Sequence, residues 1–199
     1  MSNYLAIDTS SRYLTVLAQR GDKRIIRHIP DCSMQHSVVL MGEVEAALKK
    51  AGLTPKECDF FAAVTGPGSF TGIRIGISTV KGLALGAKKP LLGLTSFELI
   101  AYNVKSENFT VIIDAAHSHY YAQGFGRGAF PPSYLSFEEV KNLKTELYGF
   151  EELPFENYRK LEVKNCLHPA ISSCESNLSG DISALYVRKS QAEEGRGTV

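Results

Sequence analysis

Twice in this chain a short apolar run closes on an aspartate: Tyr4 to Asp8 (YLAID) and Thr110 to Asp114 (TVIID). Each is followed by small residues, a turn and a second strand-like run, Tyr13 to Ala18 after the first and His119 to Phe125 after the second. Superposing Ile7-Asp8 on Ile113-Asp114 brings Tyr13-Leu14 onto His119-Tyr120 and keeps the strand, turn, strand order, although few identities survive. A repeat of this kind predicts two related lobes, since each copy must bury its own strands. With 199 residues, the chain has room for two small cores.

The surroundings of the two copies differ. After the first, Gly21-Asp22 separates a third β-branched run, Lys23 to Ile29, which completes an antiparallel meander. From Ser37 to Ala51 the period turns helical: Leu40, Val44, Leu48 and Ala51 form one stripe, and Val38, Met41, Ala46 and Ala47 widen it. Gly52 stops that helix. Phe60 to Thr65 reads as a buried strand, followed by a glycine-rich turn over 66–72, a helix to about 88 and a strand over Leu91 to Leu94. Thr95 and Glu98 stand at capping-box spacing and open a helix to about Val104. After the second copy, Pro131-Pro132 breaks the pattern and Ser136 with Glu139 forms another capping box. Tyr148 to Lys164 then mixes Gly, Pro and charge. The predicted class is α/β, with two lobes of mixed sheet plus helices: a first lobe over 1–106, a smaller one over 107–189 and a frayed tail over 190–199.

Charge and composition narrow the function classes. A formal net charge of +1 supplies no global pull toward nucleic acid, so any RNA role needs a local patch or a partner. The N-terminus has no basic stretch ahead of a long apolar run, and no segment approaches the roughly 18 apolar residues of a membrane span. A cytoplasmic location is expected. Cys32, Cys58, Cys166 and Cys174 include no C-x-x-C pair, which fits reduced thiols better than a disulfide framework or a zinc site.

The strongest local motif is Gly66-Pro-Gly-Ser-Phe-Thr-Gly-Ile-Arg-Ile-Gly76, set between a strand and a helix. Unpaired N–H groups and the helix dipole make such a place an anion cradle, and Asp8, Gly66, Gly68 and Ser69 are the candidate nucleotide contacts. The dinucleotide fingerprint fails at Thr71, however, and no Gly-Lys-Ser/Thr closes a P-loop. The plainer reading gives Gly66 and Gly68 to a tight turn and leaves Gly72, Gly76, Gly82 and Gly86 to let the helix approach a neighbour closely. Asp8 and Asp114 end strands where two-lobed phosphotransferases place a carboxylate for a metal-bound phosphate, yet each also suits a turn cap. His36 has Val39 and Leu40 where a second ligand belongs, His117-x-His119 lacks a third, and Cys166-x-His168 with Cys174 matches no zinc spacing. No serine sits in a Gly-x-Ser-x-Gly elbow. No catalytic or metal site is therefore predicted.

The opening Leu5-Ala-Ile-Asp-Thr-Ser10, the Gly66–Gly76 segment, the second start at Asp114 and the closing Tyr186-Val-Arg188 resemble the bacterial TsaB (YeaZ) family. That resemblance implies a degenerate actin/Hsp70-type (ribonuclease H-like) fold. It also implies a scaffold that partners the larger paralogue TsaD and the ATPase TsaE in forming threonylcarbamoyladenosine at position 37 of tRNA. By the same resemblance TsaD carries the metal and the transfer chemistry. This chain then needs no cofactor of its own, ATP or ADP belongs to the complex, and tRNA is met only through it. Where the family often has an Arg two positions and a Glu five positions after the second aspartate, this sequence has Ala116 and His119.

A helix with surplus apolar surface beside one lined with glycine predicts a face for two helices of another chain, or for a second copy of this one. Its expected residues are Val38, Met41, Val44, Leu48, Gly72, Arg74, Gly76, Thr79 and Gly86. Two competing readings are a small ATP-dependent phosphotransferase or ATPase built on Asp8, Asp114 and the Gly66 turn, and, weakest, a glycoprotease-like metallopeptidase.

Overall fold

The computed structural model describes residues 1–188. The expected frayed tail over 190–199 lies outside the described residues.

The repeat seen in the sequence is a repeat of topology. Strands β1 (Tyr4–Asp8), β2 (Leu14–Arg20) and β3 (Lys23–Ile29) form the meander. They are followed by helix α1 (His36–Ala51), β4 (Phe60–Val64), α2 (Phe70–Ala87), β5 (Leu91–Leu94) and α3 (Ser96–Ala101). The order across this sheet is β3-β2-β1-β4-β5, antiparallel through the meander and parallel from β1 to β4 to β5. The second copy runs β6 (Phe109–Asp114), β7 (His119–Phe125), β8 (Phe130–Ser136), α4 (Phe137–Lys141), β9 (Glu146–Gly149) and β10 (Tyr158–Lys160). Its order, β10-β9-β6-β7-β8, is the same arrangement read from the other edge, with the same parallel and antiparallel pairs. Helix α5 (Val163–Cys174) closes the series. This is a duplicated, two-lobed actin-like fold.

The second lobe is reduced where the helices belong. The five-residue α4 stands where the first lobe has the sixteen-residue α1, and β9 is joined to β10 without a counterpart of α2. Both capping boxes form: Thr95 Oγ1 accepts from Glu98 N at 3.1 Å at the start of α3, and the Ser136–Glu139 pair does the same work at α4. Gly52, at φ 76°, ends α1 as a left-handed cap.

Strand pleating sorts the first sheet into two cores. Leu5, Ile7, Leu14 and Val16 point to α1 and α2, meeting Leu40, Val44, Leu48, Ile73 and Val80. Tyr4, Ala6, Leu17 and Phe60 point the other way, and Cys166, Leu167, Ala170, Ile171 and Cys174 of α5 cover them. Those five positions make one stripe on α5, so the two cysteines are core residues, and burial pushes the Cys166 thiol up to about 12 and Cys174 to about 11. Pro169 lies inside the helix, which continues past it to Cys174. The chain thus returns from the second lobe to seal the first, and after α5 it bridges Ser179 to Leu91 beside β5.

Candidate functional site

Two places carry the residues singled out by the sequence: a cleft between the lobes and the outer face of α1 and α2.

The cleft is about 830 Å³. Ser10 to Arg12, His36 and the Gly68–Gly72 turn line one side, and Ile113, Asp114 and Glu151 to Leu153 line the other. The turn is clamped onto the end of β1. Ser69 N donates to Ser10 O at 2.7 Å, Thr9 Oγ1 donates to Gly72 O at 2.7 Å, and Ser96 N donates to Gly66 O at 2.7 Å. A Cβ on Gly68 or Gly72 would stand 2.1 Å from the backbone oxygen of Ser10 or Thr9, and one on Gly76 would stand 2.4 Å from Thr9 Oγ1. These glycines exist so that α2 can lie against the β1 turn. Two of the turn's donors are spent on the chain itself: Ser69 N is committed to Ser10, and Gly72 N donates to the Ser69 side chain at 3.2 Å.

Asp8 behaves as a turn cap. It is buried, and its Oδ1 accepts from Ser10 N at 2.9 Å and Ser10 Oγ at 2.7 Å. Burial raises its pKa, against the opposing pull of those two bonds. Asp114, exposed at the cleft, repeats the motif by accepting from Ala116 N at 2.9 Å. The hairpin after it holds Ala116, His117 and Ser118 all at positive φ, between 52° and 63°. Glu151, which the sequence did not single out, supplies a link between the lobes: Ser11 Oγ donates to its Oε1 at 3.1 Å, and Tyr13 packs edge-on to Phe150 at 6.0 Å. Burial is the first cause of its raised pKa, and the Asp114 charge adds to it. Asp114, Glu151 and Glu152 are met in the cleft by the single guanidinium of Arg12, an arrangement unfavourable to a bare polyphosphate. Among the described residues no three His, Cys, Asp or Glu side chains converge as metal ligands. His36 is a buried helix-start residue whose Nε2 lies 3.0 Å from Tyr13 O.

The outer helical face needs correction in its membership. Val44 and Leu48 are inside the first core, and Gly72 and Gly76 are turned inward toward Thr9, so these four line no outer surface. The helical period that marked Val44 and Leu48 as apolar marks equally a stripe against the chain's own sheet, and burial there is the nearer option. Val38 is 79% exposed and Met41 46% on α1, and Leu85 of α2 is 82% exposed, whereas Met34, 98% exposed, precedes α1 and lines the cleft. Gly82 and Gly86 have open space where a Cβ would go. They line an apolar groove of about 450 Å³ with Thr54, Pro55, Lys56, Leu83 and Ala87. Thr79, half-buried, donates its hydroxyl to Ile75 O at 2.8 Å, and exposed Arg74 donates from Nε to the Tyr186 hydroxyl at 2.9 Å. Because α1 and α2 cover the same face of the sheet, their outer sides look the same way.

A two-lobed actin-like protein whose second lobe has shed its large helices defines the class. Residues 29–153 match the family profile described as TsaD: tRNA N6-adenosine threonylcarbamoyltransferase. The chain is 26% identical over 185 residues to the tRNA threonylcarbamoyladenosine biosynthesis protein TsaB of Buchnera aphidicola subsp. Schizaphis graminum, covering 83% of this chain and 87% of that one. To the protein of the same description from Escherichia coli it is 34% identical over 112 residues, 56% of this chain and about half (48%) of that one. The solved structure of YeaZ from Pseudomonas aeruginosa superposes with a TM-score of 0.73 at 21% identity, covering 94% of this chain and all of that one (100%). The chain belongs to the TsaB/YeaZ family.

Among the described residues no helix is long and apolar enough to cross a membrane.

Proposed function

We propose that this chain takes part in tRNA threonylcarbamoyladenosine biosynthesis as a non-catalytic scaffold, pairing through the outer face of α1 and α2 with a TsaD-type paralogue and recruiting a TsaE-type ATPase. The observation that carries the reading is the exposure of Val38 and Met41 on α1 and of Leu85 on α2, whose Gly82 and Gly86 line an apolar groove, on a chain of this family. Exposed apolar side chains on two helices that cover one sheet face are a surface that a helix pair of another chain would cover, completing a four-helix bundle. In isolation the same surface pairs with a second copy. The commitment of Ser69 N and Gly72 N to the chain itself and the acidic lining of the cleft favour a scaffold over an enzyme acting on its own nucleotide.

The test is co-purification and light scattering of the full chain with a TsaD-type protein, then with a TsaE-type protein added. Wild type should form a heterodimer, and alone should run as a homodimer. Val38→Glu combined with Met41→Glu should abolish both while leaving the fold intact. A strict monomer that ignores the TsaD-type protein overturns the reading. Micromolar binding of Mg-ATP by the isolated chain in calorimetry would replace it with the phosphotransferase alternative built on Asp8 and Asp114.

A further inference from the structure

The last described stretch, after α5, touches both lobes within eight residues. Asp181 pairs with Lys81 of α2 at 2.5 Å, and Ile182 is buried in the first core, where Gly93 leaves room for it. Leu185 N donates to Thr65 O at 2.8 Å, just before the glycine turn. Tyr186 stacks on Phe70 at 4.9 Å and accepts from Arg74, both on the first turns of α2. Leu185 and Val187 then pack into the cluster formed by α3 and β6. Arg188 ends the run on the second lobe, where its Nη1 donates to the Tyr134 hydroxyl at 2.7 Å and its guanidinium lies 5.0 Å from the centre of that ring. Tyr134, on β8, is itself stacked on His119 at 4.7 Å, next to the positive-φ hairpin.

We infer that Asp181–Arg188 is a strap that fixes the outer strands of the second lobe, β7 and β8, against the first lobe, with Tyr186 as its anchor on α2 and Arg188 as its anchor on β8. The two anchors are of different strength. The first-lobe end combines a buried side chain, a backbone bond, an ion pair and a stacked ring, whereas the end on β8 is one guanidinium against one phenol. The lobes also meet in the cluster where Phe97 and Ile100 of α3 pack on Phe109, Val111 and Ile113 of β6, so β6 stays seated without the strap, while β8 lies at the far edge of that sheet. Losing the Arg188 contact therefore loosens β7 and β8 while the first lobe and β6 stay folded. This holds whatever partner the chain has, so its failure and the failure of the scaffold reading are separate results.

The experiment uses the full chain with spin labels at Lys49→Cys on α1 and Lys141→Cys on α4, both exposed, the native thiols being buried. Pulsed EPR should show a narrow distance distribution for the labelled parent, broadened by Arg188→Ala and by Tyr186→Ala. Hydrogen exchange should show about tenfold faster opening in β7 and β8, with β1, β4 and α1 unchanged. Tyr134→Phe, which keeps the ring and removes only the acceptor, should broaden the distribution in the same direction by less and guards against misfolding of the alanine variants. Unchanged distributions in Arg188→Ala and Tyr134→Phe overturn the inference. So does a loss of protection in β1 and β4 alongside β8, because it would make the segment a piece of the first core only.

Discussion

At the scale of single residues, the glycines of α2 divide into two kinds that the sequence presents as one row. Gly72 and Gly76 are spaces into which β1 fits, while Gly82 and Gly86 face open groove. Gly72→Ala should cost about 1–3 kcal/mol, because the added methyl meets a backbone oxygen that cannot rotate away. Gly82→Ala should instead stabilise the isolated chain by about 0.8–1 kcal/mol through helix propensity alone. Urea unfolding of the two variants reads both signs. Glu151 supports a second expectation. Its folded-state pKa is raised, so the folded chain binds more protons than the unfolded one above the ordinary carboxyl value of 4.5, and stability falls as pH rises from there through the folded value. Glu151→Gln should flatten that slope, measured as unfolding midpoints at pH 5 and pH 7.5. Caps and turn formers were legible in the sequence, since a capping box needs only residues three apart. Glu151 was not, because nothing local to it announces that Ser11, 140 positions away, will lie beside it.

At the scale of elements, α1 has two sides that answer to different partners. Leu48→Ala removes volume from the first core and should cost about 2–5 kcal/mol with no direct effect on assembly of the folded fraction. Val38→Glu should do the reverse, leaving the thermal midpoint within about 2 °C and weakening assembly, because Val38 is 79% exposed. Differential scanning calorimetry paired with light scattering separates the two outcomes. The periodicity that located α1 in the sequence located the apolar residues correctly, but it could not divide them between sheet and surface, a matter of how the helix is rotated on its sheet. Helix α5 went unread for another reason. Its stripe from Cys166 to Cys174 has regular spacing, yet Pro169 stands in the middle and the flanking residues are polar, so the local pattern argued for irregular chain.

At the scale of the whole molecule, the two halves are alike in strand order and unlike in independence. The first sheet is sealed on one face by α1 and α2 and on the other by α5, which comes from the far end of the chain. A chain ending before Val163 should therefore leave Tyr4, Phe60 and Leu92 uncovered and fail to give a cooperative near-UV circular dichroism transition, even though it retains all ten strands of the described residues. By itself the sequence determined what depends on short-range pattern: the strand, turn, strand repeat ending in Asp8 and Asp114, the helix caps and the glycine turn. Tertiary structure alone decided which apolar residues face inward, which glycines accept a neighbour, what covers the second face of the first sheet, and that Tyr186 and Arg188 bridge the lobes. Each of these is a meeting of segments tens to more than a hundred residues apart, settled by the mutual fit of surfaces, and no periodicity within one segment encodes the shape of another.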